Sequence, residues 1–193
     1  MNKYRNKSWI YNKYIIEKVG HMYKFICINI GYLKNHNWPL KFWGHKNFAD
    51  LINAIHNKYS NLNVILVGGA NDIEDAKKII NIVKDNKRIY NCVGCSNDIR
   101  DTAAIIKMSI GIIGSDGGLQ HIAATLNIPS VTIFTFTNPI KNRPYASNAV
   151  LAMTDCEHRI TCQHGRWKTC QDKKCINVPF RQVLDKVEKI LDV

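Results

Sequence analysis

A short apolar run that stops at a turn, followed by a stretch whose apolar residues fall three and four apart, recurs along most of this chain. Residues 24–30 (KFICINI) end at Gly31, residues 61–67 (NLNVILV) at Gly68-Gly69, residues 88–93 (RIYNCV) at Gly94, and residues 109–113 (SIGII) at Gly114. A fifth run, residues 129–134 (PSVTIF), follows Ile128. These runs have the length of buried strands. Between them, Phe48, Leu51, Ile52 and Ile55 mark one apolar helix face, as do Ile73, Ala76, Ile80 and Val83, then Ile99, Ala103 and Ile106, then Leu119, Ile122, Ala123 and Leu126. A last helix begins near Pro179 and carries Phe180, Val183, Leu184, Val187, Ile190 and Leu191. Strands alternating with helices predict an α/β fold, a doubly wound, Rossmann-like parallel sheet. Such sheets bind ligands beyond the carboxyl ends of their strands, where the glycine turns fall.

At 193 residues the chain is long enough for one domain with a substantial core. No run approaches the ~18 apolar residues of a transmembrane helix. The first residues, MNKYRNKSWIYNKY, lack the apolar centre of a signal peptide, so a cytoplasmic protein is the expectation. Residues 1–22 are basic and aromatic and read as a connecting segment ahead of a domain over residues 23–193. Twenty-seven Lys and Arg against fifteen Asp and Glu leave a net charge of +12, which favours an anionic partner: a nucleotide, a nucleic acid or an acidic lipid surface. Seven cysteines cannot all pair within one chain, so thiols or metal ligands are expected. Cys92 and Cys95 have C-x-x-C spacing and are read as structural. Cys156, Cys162, Cys170 and Cys175 are four thiols within one segment, 156–175, with His158 and His164 between them. They are candidates for a structural zinc or iron site or, equally, for thiols in an irregular loop.

The stretch GSDGGLQHIAATLNI, from Gly114 to Ile128, concentrates the chemistry. Gly114, Gly117 and Gly118 allow a tight strand-to-helix bend, and a helix start with exposed N–H groups favours an anion such as a phosphate. His121 lies one turn in and could add a donor. Ser115 or Asp116 as a plain N-cap is the other reading of the same residues. After the first strand there is no G-x-G-x-x-G, so a nicotinamide or flavin fingerprint is missing where one would be expected. Lys41, between a strand end and a helix, points to the same edge as the glycine loop. Asp72 opens the second helix as its N-cap.

The segment from Ser115 to Pro139, with residues 38–43 (WPLKFW), resembles the heptosyltransferase family, glycosyltransferase family 9. Asp116, Gly118 and His121 fall on that family's D-[ST]-G-x-x-H loop, and Gly117 stands where the family has Ser or Thr. The resemblance implies that the loop cradles the diphosphate of a nucleotide-heptose donor and that Lys41 reaches the phosphates. It implies that Asp72, where the family usually has Glu, holds the ribose. Relatives that glycosylate autotransporter proteins hold iron in a four-cysteine finger, which bears on the tail cysteines.

By the same resemblance, the chain corresponds to the C-terminal, donor-binding half of a two-domain GT-B enzyme. The acceptor pocket and catalytic carboxylate then belong to an N-terminal half. The implied partners are a nucleotide-sugar, in the first place ADP-heptose, an anionic glycolipid or protein acceptor, and an acceptor-domain partner or a second copy. A glycolipid acceptor would place the chain at the inner-membrane surface. No D-x-D motif for a divalent metal is present, and no cofactor is expected for transfer. A non-catalytic donor-domain remnant and a nucleic-acid-binding protein are the readings from other classes.

Overall fold

The computed structural model describes residues 24–32, 39–96, 98–146, 148–158, 162 and 168–192. The basic aromatic segment 1–22, Trp38 and His164 lie outside the described residues. Six strands form one sheet: β1 (Phe25–Asn29), β2 (Asn63–Val67), β3 (Ile89–Asn91), β4 (Ile112–Ser115), β5 (Ser130–Phe134) and β6 (Ala149–Met153). Their spatial order is β3-β2-β1-β4-β5-β6, and every neighbouring pair is parallel. This is the doubly wound order, in which the chain winds outward in one direction from β1 and in the other from β4. The helices are α1 (His45–Lys58), α2 (Ile73–Ile82), α3 (Ile99–Met108), α4 (Gly118–Thr125), the short α5 (Pro139–Asn142) and α6 (Phe180–Leu191).

Side chains of β1 divide by their pleat. Ile26 and Ile28 join a core with Phe48 and Ile52 of α1, Ala76 of α2 and Val187 of α6. Phe25 and Cys27 join a second core with Ile105 of α3 and Ala123 of α4. A strand apolar on both faces is what a sheet covered by helices on both sides requires.

The five strands expected from the apolar runs are all present. The sixth, β6, was not expected, because residues 149–153 (AVLAM) have no glycine turn behind them and lie at the sheet edge, where one side has no strand to pair with among the described residues. Val83, expected inside the second helix, is instead its buried C-cap.

Two contacts bring the halves together at the strand ends. In the β1–β4 pairing Asn29 lies opposite Gly114, and a Cβ on Gly114 would sit 2.3 Å from the Asn29 carbonyl oxygen. Only glycine allows that approach. Trp43, buried against Phe48 with ring centroids 5.1 Å apart, donates its indole N–H to the Val178 carbonyl at 2.7 Å. That bond ties the segment after β1 to the chain entering α6.

Replacing Gly114 by Ala should therefore cost about 3 kcal/mol of stability, since backbone rather than a flexible side chain must move. Urea unfolding measures this, and a cost below about 1 kcal/mol would mean that the strand ends are loosely paired.

Cys27 gives a pH signature of the second core. Burial pushes its thiol from 9.0 up to about 12, with a hydrogen bond from Ser109 opposing and nearby Cys92 adding to the rise. The folded state thus keeps a proton that the unfolded chain releases. The stabilisation is complete below about pH 9 and is lost as pH climbs toward 12. Over that window the native protein should lose up to roughly 1.4 kcal/mol per pH unit more than Cys27→Ala, as read from denaturant midpoints.

Candidate functional site

The carboxyl ends of β1, β2 and β4, with the turn that follows β3, open into a cleft of about 490 Å³ at the point where the winding reverses. Its walls are the turns that follow these strands. Asn29, Gly31 and Tyr32 come from the first, Gly68 to Asp72 from the second, Ser96, Asp98, Ile99 and Thr102 from the third, and Asp116 to Leu119 from the fourth. Four of the six expected donor-binding residues, Asp72, Asp116, Gly117 and Gly118, are brought together here.

Gly118 is the first residue of α4 and Gly117 its N-cap. The N–H groups of Gly118 and Leu119 have no carbonyl behind them within the helix, so they are available to an anion in the cleft. A Cβ on Gly118 would meet nothing within 4 Å, and one on Gly117 would meet only the Ser115 carbonyl oxygen at 3.7 Å. Gly118 therefore faces open space, and the serine or threonine of the family pattern would fit at Gly117.

Asp72 is buried, and its Oδ2 accepts the Gly69 N–H at 2.9 Å. A Cβ on Gly31 or Gly68 would lie 2.9 or 3.1 Å from the same oxygen. The carboxylate is thus seated among three glycines of the first two turns, and a side chain at Gly31 would displace it.

Lys41 lies beside the cleft wall, in a 3-10 turn (Pro39–Lys41). Its Nζ donates to the Asp116 carbonyl at 3.1 Å and stands 3.3 Å from Asp116 Oδ2, with the two side chains 9% and 6% exposed. In this structure the lysine holds the loop from behind. His121, in the first turns of α4, is exposed and is not among the residues lining the cleft.

The cleft wall contains three carboxylates and, among the described residues, no Lys, Arg or His. Each carboxylate already has a donor. Asp116 has Lys41, and Asp72 has the Gly69 N–H. Asp98 has Arg100, whose guanidinium lies at 2.6 Å and holds the Asp98 carboxyl down at about 2. Asn29, whose Oδ1 accepts the Gly31 N–H at 3.0 Å, was not singled out from sequence, nor was Asp98. The signal for Asn29 was present, because it is the one polar residue in an otherwise apolar strand.

The tail cysteines divide. Cys162 and Cys175 are buried with Phe136, and Cys156, Leu40 and Ile176 pack against them, whereas Cys170 is outside this cluster. Among the described residues no three His, Cys, Asp or Glu side chains form a group that could hold a metal ion. As placed, the four thiols do not make a ligand set, and no chemistry is assigned to a metal there. Cys92 is half-buried beside the second core, and Cys95 is exposed, its Sγ on the Asn91 carbonyl at 3.6 Å.

Fold and cleft together define a doubly wound α/β domain with a ligand crevice at its switch point. Residues 27–175 match the model of glycosyltransferase family 9 (heptosyltransferase), and the chain belongs to that family. It is 24% identical over 156 residues to lipopolysaccharide heptosyltransferase 2 of Salmonella typhimurium, a match that covers 79% of this chain and 43% of that protein. Among solved structures, the ADP-heptose lps heptosyltransferase II of E. coli superposes with a TM-score of 0.74 at 19% identity, covering 94% of this chain and 51% of the other. The dodecameric iron-containing heptosyltransferase TibC, in complex with ADP-D-beta-D-heptose, superposes with a TM-score of 0.59 at 16% identity, covering 86% and 45%. The chain thus spans about half the length of these relatives. In fold it corresponds to one half of a GT-B glycosyltransferase.

The Lys41–Asp116 pair should be felt in stability. Lys41→Met leaves a buried carboxylate without its cation and should cost about 3–5 kcal/mol. The double variant Lys41→Met/Asp116→Asn should recover more than half of that. A single variant within about 1 kcal/mol of the native protein would show that the pair is solvated and does not hold the loop.

Proposed function

We propose that this chain is the donor-binding half of a heptosyltransferase-like glycosyltransferase, and that its cleft takes a nucleoside-diphosphate sugar, in the first place ADP-heptose. The observation that carries the reading is the start of α4. Gly117 and Gly118 open its first N–H groups into a cleft at the switch point, where two of the three lining carboxylates, Asp98 and Asp116, are paired with cations and the third, Asp72, accepts a backbone N–H. The family membership, the fold shared with the E. coli ADP-heptose lps heptosyltransferase II and the fold shared with the TibC complex with ADP-D-beta-D-heptose support the choice of ligand.

In this reading the diphosphate lies on the Gly117–Leu119 turn. Lys41 acts on it through Asp116, by fixing the backbone that presents those N–H groups, and its positive charge lies behind the same turn. Asp72 takes the ribose hydroxyls and Asp116 the sugar side of the loop. His121, one turn into α4, is exposed outside the cleft wall and is given no contact with the diphosphate in this reading. Transfer breaks the bond between the anomeric carbon and the β-phosphate oxygen, and the electron pair leaves on the diphosphate. Donors aimed at the oxygen where that charge develops lower the barrier. The acceptor hydroxyl attacks the anomeric carbon, and its proton goes to a base that is not among the residues of this cleft. The acceptor is a lipopolysaccharide core or a protein, and the setting is the cytoplasmic side of the inner membrane.

The test is calorimetric titration of the chain with ADP, UDP and GDP. ADP should bind saturably. Gly118→Ala should weaken binding at least tenfold with its unfolding midpoint unchanged, because the new methyl enters the cleft without touching the protein. Gly117→Ser should bind as tightly as the native chain or more so. Failure of all three nucleotides to bind, or an unaffected Gly118→Ala, would overturn the reading. Sugar transfer by the purified chain alone would place the base within it.

A further inference from the structure

Between β5 and β6 the chain crosses the sheet with only the four-residue α5 as regular structure. This crossover carries the two most exposed large apolar side chains among the described residues, Tyr145 at 95% and Ile140 at 77%. Lys141 and Arg143 lie between them, both exposed and neither in an ion pair among the described residues. No acidic residue occurs anywhere between Asp116 and Asp155.

The segment is held at both ends. Asn138 Oδ1 caps α5 by accepting the Ile140 N–H at 2.9 Å, Pro144 is buried, and Asn148 donates to the Asn127 carbonyl at 3.2 Å. A groove of about 580 Å³ lies beside it, lined by Arg143, Pro144, Tyr145, Ala146, Ala149 and Leu151.

An aliphatic and an aromatic side chain pushed fully into solvent cost hydration free energy unless something covers them. The two cations between them say what that is. Protein interfaces are depleted in lysine and gather their apolar side chains into one patch, whereas an anionic bilayer surface attracts Lys and Arg and accepts Tyr and Ile at headgroup depth. We propose that the 139–146 crossover docks this chain on an anionic lipid surface, with Ile140 and Tyr145 entering the headgroup layer and Lys141 and Arg143 on lipid phosphates. None of these residues lines the donor cleft, and the proposal stands independently of what the cleft binds.

The experiment is co-sedimentation of the full chain with sucrose-loaded vesicles of phosphatidylcholine alone and of phosphatidylcholine with 30% phosphatidylglycerol. Binding should require the anionic lipid. Both Ile140→Ser/Tyr145→Ser and Lys141→Glu/Arg143→Glu should weaken it at least tenfold at unchanged far-UV circular dichroism and unfolding midpoint. If the serine variant bound as well as the native chain, the affinity would be a general effect of the +12 charge acting elsewhere, and the proposal would fail. Absence of vesicle binding would overturn it equally. If absence of binding came with self-association in sedimentation velocity that the serine variant abolished, the crossover would be a protein interface instead.

Discussion

β1 and β4 come so close at Asn29 and Gly114 that residue 114 has no room for a side chain, and the candidate site depends on that approach. β1 and β4 must lie side by side for the winding to reverse between them, and the reversal is what leaves a crevice beyond their ends. With the Asn29 carbonyl 2.3 Å from where a Cβ of residue 114 would be, the strands pair up to their last residues. The turns that follow then diverge from a common point. Asn29 turns its side chain back onto the Gly31 N–H, and Gly114 leads through Ser115 to the start of α4. Bulk at either place would separate the two walls.

Electrostatics in the cleft follow from the same economy of space. A crevice walled by Asp72, Asp98 and Asp116 would repel an anion if those charges were uncompensated. Two are instead paired with cations, Asp98 with Arg100 on the first turn of α3 and Asp116 with a lysine that arrives from the segment after β1, while Asp72 is tied to the turn after β2 by the Gly69 N–H. What remains facing the cleft at α4 is backbone N–H. Short-range donors on a rigid turn are well suited to a ligand whose charge grows during reaction, because they need not reorganise as it does.

Much of this was legible in the chain. Four apolar runs ending at glycine and a fifth after Ile128 gave five strands, and helical spacing gave the helices between them, because a sheet covered on both faces imprints both periods strongly. The glycine loop was legible for the same reason: three glycines in five residues at a strand end have few other uses. Side-chain direction was less visible. Lys41 reads from sequence as a cation aimed at the ligand, yet it is turned onto Asp116, a contact across 75 residues that no local pattern carries. His121 lies at the expected place in the loop but is exposed, since its direction is set by how α4 packs. β6 went unrecognised because it is a partly buried edge strand with no glycine turn after it, whereas β3, at the other edge and no more buried, was marked by Gly94. The tail cysteines are close in sequence, but Cys162 and Cys175 are buried with Phe136 and Cys170 is not part of that cluster.

The central claim, that the turn from Gly117 to Leu119 receives a nucleoside diphosphate, is tested most directly by following backbone amide resonances of the chain while ADP is added. The account predicts saturable shifts at Gly117, Gly118 and Leu119 with smaller ones at Gly31 and Gly69, and no change at Tyr145. Shifts absent from the α4 start, or confined to the basic surface, would contradict it.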